Sequence, residues 1–129
     1  MLRKILLVDD DEEEFDIFKL ALDMMHHDCM CFWANSLEQA TQLLKDLQPE
    51  FVFIDINMPR HDGISCLKKL KQSKPLNHTA FIMYSTYISE ADHKEAIQLG
   101  ASCCIQKTEN IPVLLNQLIS LFNDKAPSA

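Results

Sequence analysis

The chain has 129 residues, 47% of them hydrophobic, which is enough for one domain with its own core but not for two. Its formal net charge of −7 disfavours direct contact with nucleic-acid phosphates. The first residues do not read as a signal peptide, and no apolar run approaches the roughly 18 residues that span a membrane, so a cytoplasmic location is expected.

Short apolar runs alternate with helical patterns from the start of the chain, and this alternation is typical of α/β proteins. Residues 3–8 include four consecutive apolar residues, which predict a strand buried on both faces of a parallel sheet. Phe15, Phe18 and Leu22 then recur at helical spacing. Residues 29–34 predict the second strand.

The five cysteines do not suggest a disulfide framework, because their number is odd and no secretion signal is recognised. Cys29 and Cys31 are separated by one residue rather than the two of a zinc knuckle, and on a strand they share a face with Trp33. We therefore interpret them as packing residues rather than metal ligands.

A second helix and a third strand follow in the same alternation. Ser36 and Gln39 form a capping-box pattern that predicts a helix, and Pro49 is expected to end it. Residues 51–54 are the most β-prone stretch of the chain and predict a third buried strand. Residues 58–63 are rich in Pro, Asp and Gly and predict a loop.

The second half of the chain continues the alternation. Its expected elements are a helix with Ile64, Leu67 and Leu70 inward, a strand over 80–84, a helix from Ser89 to Leu99 followed by Gly100, a strand over 102–106, and a helix capped by Asn110 with Pro112 in its first turn. Five β/α pairs predict one doubly wound parallel sheet of five strands with helices on both faces.

Polar residues follow the predicted strands where each strand ends. These are Asp9, Asp10 and Asp11 after the first strand, Asp55 after the third, Ser85 and Thr86 after the fourth, and Lys107 after the fifth. Doubly wound sheets bind ligands beyond the carboxyl ends of their strands, so we expect these side chains to converge on a functional site.

The chemistry of this set points to phosphoryl transfer. Clustered carboxylates repel one another unless a cation neutralises them, and Mg²⁺ prefers oxygen ligands. Asp55 beside such an ion is a nucleophile toward phosphorus, and Lys107 and Ser85 supply charge and a hydroxyl to the phosphoryl oxygens. Each residue alone has a structural explanation, as a helix cap, a turn residue or a surface lysine, and only the combination favours chemistry.

Together these motifs resemble the receiver domain of two-component response regulators, the CheY-like family. The resemblance runs from residue 2 to about residue 123, and it rests on Leu6-Leu7-Val8-Asp9-Asp10, Asp55-Ile56-Asn57-Met58-Pro59, His61-Asp62-Gly63, Ser85 and Lys107. It implies the flavodoxin-like (βα)5 receiver fold over residues 1–124, with a short tail over 125–129 and no output domain.

The resemblance implies a bacterial phosphoacceptor protein, in which Asp55 is phosphorylated and Ser85 and Lys107 contact the phosphoryl oxygens. The expected Mg²⁺ ligands are Asp9, Asp10, Asp55 and the backbone carbonyl of Asn57. The donor would be a sensor histidine kinase or a histidine phosphotransfer protein, and the output would be contact with a downstream protein, not with nucleic acid or membrane. Self-phosphorylation and autodephosphorylation are the only enzymatic steps implied.

Three positions depart from the family pattern. Cys104 stands where receivers usually carry an aromatic residue, three before the lysine. Thr108 follows the lysine in place of the common proline, and Thr86 replaces a small residue. The usual aromatic switch is therefore not expected, and we hypothesise that Tyr87 partly gates the site.

Two alternatives stay open at this point. A pseudo-receiver would act as an interaction module without phosphorylation; Cys104 and Thr108 are compatible with it, but the acceptor, the acidic pair and the lysine are all retained. A phosphatase of the haloacid dehalogenase type also uses an aspartyl nucleophile and Mg²⁺. That family places Asp-x-Asp after its first strand, whereas Asp55 follows the third predicted strand.

Overall fold

The structure, a computed structural model, describes residues 3–25, 28–59, 62–73 and 78–124. Strands and helices alternate without exception in these ranges: β1 (Arg3–Val8), α1 (Glu12–Asp23), β2 (Cys29–Ala34), α2 (Leu37–Leu44), β3 (Phe51–Ile54), α3 (Gly63–Ser73), β4 (Ala80–Ser85), α4 (Glu90–Gln98), β5 (Cys103–Gln106) and α5 (Ile111–Asp124). His61 of the expected loop and the expected tail over 125–129 lie outside the described residues.

All five strands are parallel, in the order β2-β1-β3-β4-β5. Leu7 of β1 pairs with Trp33 of β2 on one side and with Phe53 of β3 on the other. Because β2 lies on one side of β1 and β3 on the other, the strand order changes direction at β1 and β3. This change opens a crevice at the carboxyl ends of these two strands. The predicted doubly wound sheet is confirmed, and β1, β2 and β3 begin and end at the predicted residues.

The sheet is buried between two helical layers, as its apolar strands require. Side chains of one parity along the strands, such as Leu6, Val52 and Phe81, pack with α2, α3 and α4. Those of the other parity, such as Leu7 and Phe53, pack with α1 and α5. None of the helices in the described ranges is long and apolar enough to cross a membrane.

Side-chain caps fix where most helices begin. The residues whose side chains accept a backbone N–H of the first turn are Asp11 for α1, Ser36 for α2, Ser89 for α4 and Asn110 for α5. After α4, Gly100 adopts a positive φ of 103°, and the N–H of Ala101 donates to the carbonyl of Ala96 at 2.9 Å. This Schellman arrangement confirms the predicted stop at Gly100.

The second helix ends earlier than the sequence predicts. α2 stops at Leu44, because the N–H of Lys45 turns back to the carbonyl of Gln42, three residues away, in a tightened last turn. The prediction that Pro49 ends this helix is therefore wrong. Gln39 also differs from a standard capping box: its side chain accepts the N–H of Asn35, not that of Ser36.

Gly63, the first residue of α3, sets the approach of that helix to β3. Its N–H donates to the carbonyl of Ile56 at 2.9 Å, and a Cβ added at Gly63 would overlap the Asp55 carbonyl and lie 2.5 Å from the Ile56 Cα. These obstacles are backbone atoms, which cannot move aside as a side chain can. The predicted 58–63 loop therefore ends one residue early, at a position where only glycine fits.

We predict that Gly63→Ala lowers the free energy of unfolding by at least about 2 kcal/mol, because the new methyl group forces α3 away from β3. Urea unfolding followed by circular dichroism measures the change. Ser65→Ala, at an exposed position of the same helix, is the control and should stay within about 0.5 kcal/mol of the wild type. Equal stability of the two variants would contradict this packing.

Candidate functional site

Asp9 is the most deeply buried of the acids at the strand ends, with no solvent exposure. β1 carries it into the crevice, and its own N–H continues the ladder by donating to the carbonyl of Ala34 at 3.0 Å. Its Oδ1 accepts the N–H of Asp11 at 3.0 Å, and its Oδ2 accepts the Lys107 ammonium at 2.6 Å. A buried carboxylate in this position needs both partners to offset its lost hydration.

Asp55 follows β3 and lies beside Asp9, 5% exposed. Its N–H donates to the carbonyl of Val8 at 2.9 Å, so the backbone hydrogen bonds that align β1 and β3 also align the two acids. Asp55 Oδ1 accepts the N–H of Asn57 at 3.1 Å, and Oδ2 lies 3.4 Å from Lys107 Nζ. The ammonium of Lys107 therefore lies between two buried carboxylates.

Lys107 reaches this position from the end of β5, where its N–H donates to the carbonyl of Ser85 at 2.8 Å. Its Nζ also lies 5.6 Å from the centroid of the Tyr84 ring, whose face favours a cation. Burial alone would lower the pKa of Lys107, but the hydrogen bond to Asp9 and the charges of Asp9 and Asp55 outweigh it, so its pKa is raised. The lysine stays protonated.

The electrostatics of Asp9 are dominated by burial, which raises its pKa from 3.8 to about 6. The hydrogen bonds from Lys107 and from the N–H of Asp11 lower this pKa, and the charge of Asp55 raises it. One lysine thus offsets only part of the negative charge in the crevice.

Asp10 completes an acidic group that is suited to a metal ion. Ligand oxygens of Asp9, Asp10 and Asp55 all lie within 4.8 Å of one another, and Asp10 is exposed to solvent while the other two are buried. Carboxylate oxygens on one open side fit a hard divalent cation that keeps some of its water. Asp11, the third acid after β1, is instead the N-cap of α1.

Ser85 and Asn57 form the hydroxyl side of the crevice. Ser85 is 1% exposed, and its Oγ accepts the side-chain amide of Asn57 at 2.8 Å. The same amide nitrogen lies 3.4 Å from the carbonyl of Tyr87. From the sequence we expected a role only for the backbone carbonyl of Asn57, and its side chain instead bridges the chain segments at the ends of β3 and β4.

Trp33 makes a second hydrogen bond that the sequence did not reveal. Its indole N–H donates to the backbone carbonyl of Asp9 at 2.7 Å, while its ring stacks on Phe15 at 5.6 Å between centroids. The pairing of β1 with β2 brings the indole to this carbonyl. The predicted packing role of Cys29 and Cys31 fits their half-buried positions beside the α1 layer, where burial raises the pKa of both thiols.

The residues that depart from the family pattern, and the two tyrosines near them, differ in how far they are buried. Tyr84 is fully buried against Phe18 and Phe53, whereas Tyr87 is 71% exposed. Thr86 is exposed, and its carbonyl accepts the side-chain amide of Gln106 at 3.0 Å. Half-buried Cys104 lines a depression of about 510 Å³ next to α4. The two tyrosines that flank Ser85 and Thr86 in sequence therefore point to the core and to solvent, respectively.

Comparison with known proteins agrees with this geometry. The family described as response regulator receiver domain matches residues 5–119. The transcriptional regulatory protein CpxR of Klebsiella pneumoniae is 37% identical over 109 residues, which cover 84% of this chain and 44% of CpxR. The chain thus spans about half the length of the curated relatives that it matches.

Solved structures with this fold include two other response regulators. The Mn²⁺-bound form of Rcp1 superposes with a TM-score of 0.80 at 20% identity, over 98% of this chain and 96% of Rcp1. The phosphorylated cyanobacterial phytochrome response regulator RcpA gives 0.79 at 24% identity, over 98% and 97%. Since the family match extends over nearly the whole chain and the fold agrees, the chain belongs to the receiver domain family of two-component response regulators.

Proposed function

We propose that Asp55 accepts a phosphoryl group in a Mg²⁺-dependent reaction, and that this modification switches the protein contacts of the domain. The observation that carries the proposal is the Lys107 ammonium between Asp9 and Asp55, with Asp10 open to solvent beside them. Among the structural relatives, one is described as Mn²⁺-bound and another as phosphorylated, which supports the metal and the phosphorylation in this proposal.

Asp9, Asp10 and Asp55 would hold the ion. The backbone carbonyl of Asn57 is the further ligand that the resemblance to receiver domains implies. When bound, Mg²⁺ supplies positive charge that draws electrons from the phosphoryl oxygens and screens the acids from one another. The three carboxylates offer the hard oxygen ligands that this ion prefers.

Asp55 is the nucleophile in the proposed reaction. An oxygen of its carboxylate attacks phosphorus, the P–N bond of the donor phosphohistidine breaks, and the electron pair leaves with the imidazole. Lys107, 3.4 Å from Asp55 Oδ2, is within reach of an oxygen on the transferred group and offsets its charge. Ser85 accepts a hydrogen bond from Asn57, so its own hydroxyl proton is free to donate to another phosphoryl oxygen.

Partners follow from this chemistry. The donor is a sensor histidine kinase or a histidine phosphotransfer protein, and the target is a downstream protein that contacts the surface around α4, β5 and α5. Cys104 and Ile88 line a depression on that surface. The domain works in the cytoplasm and catalyses only its own phosphorylation and dephosphorylation.

Phosphorylation is tested by intact-protein mass spectrometry after incubation with acetyl phosphate and Mg²⁺. We predict one phosphoryl adduct on the wild type, none on Asp55→Asn, and none when Mg²⁺ is removed with a chelator. Asp16→Asn, at an exposed position of α1, is the matched control and should be modified like the wild type.

A wild type that gains no adduct under these conditions would instead favour the pseudo-receiver, in which the acidic group has no phosphoryl chemistry. An adduct on Asp55→Asn would place the modification on another residue. Steady turnover of small phosphate esters would favour the phosphatase alternative.

The raised pKa of Asp9 predicts how pH affects metal binding. Mg²⁺ binds the carboxylate form, so its affinity should rise by about fivefold as pH increases from about 5 to about 6 and level off above about 7. Trp33, the one tryptophan of the chain, donates to the Asp9 carbonyl, and its fluorescence can report the titration. Asp9→Asn should bind more weakly and without this pH dependence.

The raised pKa of Asp9 also predicts the direction in which the stability of the metal-free protein changes with pH. Because the folded protein favours the protonated Asp9, the wild type should lose stability relative to Asp9→Asn as pH rises from about 4 through about 6. Urea unfolding in chelator measures the difference between the two proteins. A difference that is constant over this range, or that grows with pH, would contradict the assignment.

Tyr87 tests the gating hypothesis. If its ring partly covers the phosphoryl group, Tyr87→Ala should raise the rate constants of both phosphorylation and hydrolysis, while Tyr87→Phe should match the wild type. The ring is 71% exposed, so neither substitution should change the fold. Unchanged rates in Tyr87→Ala would show that the hypothesis is wrong.

A further inference from the structure

β2 is an edge of the sheet, and half of its backbone polar groups face outward. The N–H of Arg3 donates to the carbonyl of Asp28, and the N–H of Asp9 donates to the carbonyl of Ala34. In a parallel ladder both polar groups of alternate residues face the same neighbour, so the even-numbered residues of β2 face β1. The N–H and C=O groups of Cys29, Cys31 and Trp33 therefore point away from the sheet.

This edge lacks the devices that usually prevent pairing with another strand. Cys29–Ala34 reads Cys-Met-Cys-Phe-Trp-Ala, with no charge, no proline and no glycine, and its residues are mostly apolar. Soluble proteins commonly place lysine, proline or a bulge on such a strand. In this acidic chain, a six-residue uncharged edge is a template for a further strand.

The α2 side of this edge has one exposed apolar side chain, Met30, and one depression, next to Phe32. Met30 is 43% exposed, although the other residues of β2 are half-buried or, at Ala34, fully buried. A depression of about 370 Å³ opens between β2 and α2, lined by Phe32, Gln42, Leu43, Asp46 and Leu47. Met30 and Phe32 have the same parity along the strand, so both lie on the α2 side of the sheet.

We propose that the open edge of β2 pairs antiparallel with β2 of a second copy of this chain, to form a dimer with one continuous ten-stranded sheet. The outward-facing residues of one β2 strand pair with the outward-facing residues of the other. The register that forms the largest number of such pairs places Cys31 opposite Cys31 of the second copy. Cys29 then faces Trp33, and the pairing makes six backbone hydrogen bonds, two for each of its three pairs.

This register also places Met30 opposite Phe32 of the second copy. The exposed thioether then covers the depression beside Phe32 and Leu43, and the twofold axis repeats the contact. A second copy therefore complements the β2 edge both by its backbone hydrogen bonds and by its side chains.

Charge favours this edge over contacts through the helices. Each chain carries a net charge of −7, so two copies repel, and the uncharged β2 strand brings fewer like charges together than α1 or α4 would. The other edge strand, β5, is also uncharged, but it has four residues against the six of β2, so a twofold contact there pairs fewer of them. Pairing of β2 with β5 of another copy would leave both outer edges open and continue into a filament, whereas a twofold β2 contact closes. Added salt should therefore strengthen the dimer.

Sedimentation velocity over a wide range of protein concentration tests the proposal. The wild type should convert reversibly from monomer to dimer, and Met30→Glu should remain monomeric, because the new carboxylate meets Asp46 of the second copy in the depression. Met24→Glu, at the 50% exposed C-cap residue that follows α1, makes the same charge change and should dimerise like the wild type. A wild type that stays monomeric, or a dimer that Met30→Glu retains, would overturn the proposal.

Amide hydrogen exchange by NMR gives a test that needs no substitution. In the monomer the amides of Cys29, Cys31 and Trp33 should exchange much faster than those of Met30 and Phe32, which donate to β1. On dimerisation the three outward amides should become protected by at least about tenfold.

The opposite edge provides the internal control for this exchange measurement. The N–H of Ser102 donates to the carbonyl of Phe81, so the amides of Cys103 and Ile105 face outward from β5. They should keep the same exchange rates at all concentrations. Protection of these amides, or a dimer that leaves Cys31 unprotected, would show that another surface joins the two copies.

Discussion

The ammonium of Lys107, 2.6 Å from Asp9 and 3.4 Å from Asp55, is the interaction on which the carboxyl edge of the sheet depends. Both acids are almost fully buried, and two such carboxylates without a cation would destabilise the fold. Removal of one partner from a buried pair costs about 3–5 kcal/mol, because the remaining charge has no compensation. The lysine links the ends of β1, β3 and β5, and its single charge offsets only part of the negative charge of Asp9, Asp10 and Asp55.

The strands and the loops have different tasks in this arrangement. Four-residue and six-residue apolar strands, buried between two helical layers, hold the sheet without any charged group in β3 or β4. The acids and the lysine then come directly after β1, β3 and β5, and the hydroxyl is on Ser85, the last residue of β4, so the ladder still fixes their backbone. Trp33 and Asn57 tie neighbouring strand ends to Asp9 and Ser85, so the geometry of the site is supported from two further directions.

Much of this could be predicted from the sequence. The segments predicted over 3–8 and 51–54 coincide with β1 and β3, because strands buried on both faces have a strong and local signal. The β-prone segment over 29–34 coincides with the half-buried β2. The convergence of the acids with Lys107 follows from parallel topology alone. The hydrogen bonds of Trp33 and Asn57 could not be predicted, because they join residues 24 and 28 positions apart and depend on side-chain conformation. The early end of α2 depends on a local 3₁₀ turn that competes with the stop expected at Pro49.

The most direct test of the central claim is ¹⁹F NMR of the protein with beryllium fluoride, a phosphoryl analogue, and Mg²⁺. We predict resonances of a bound trifluoroberyllate that are absent without Mg²⁺ and absent from Asp55→Asn, because the analogue needs both the carboxylate and the ion. Lys107→Met should weaken the binding, since its ammonium no longer offsets the added charge. A wild type with no bound signal, or a bound signal that persists in Asp55→Asn, would show that Asp55 is not the phosphoryl site.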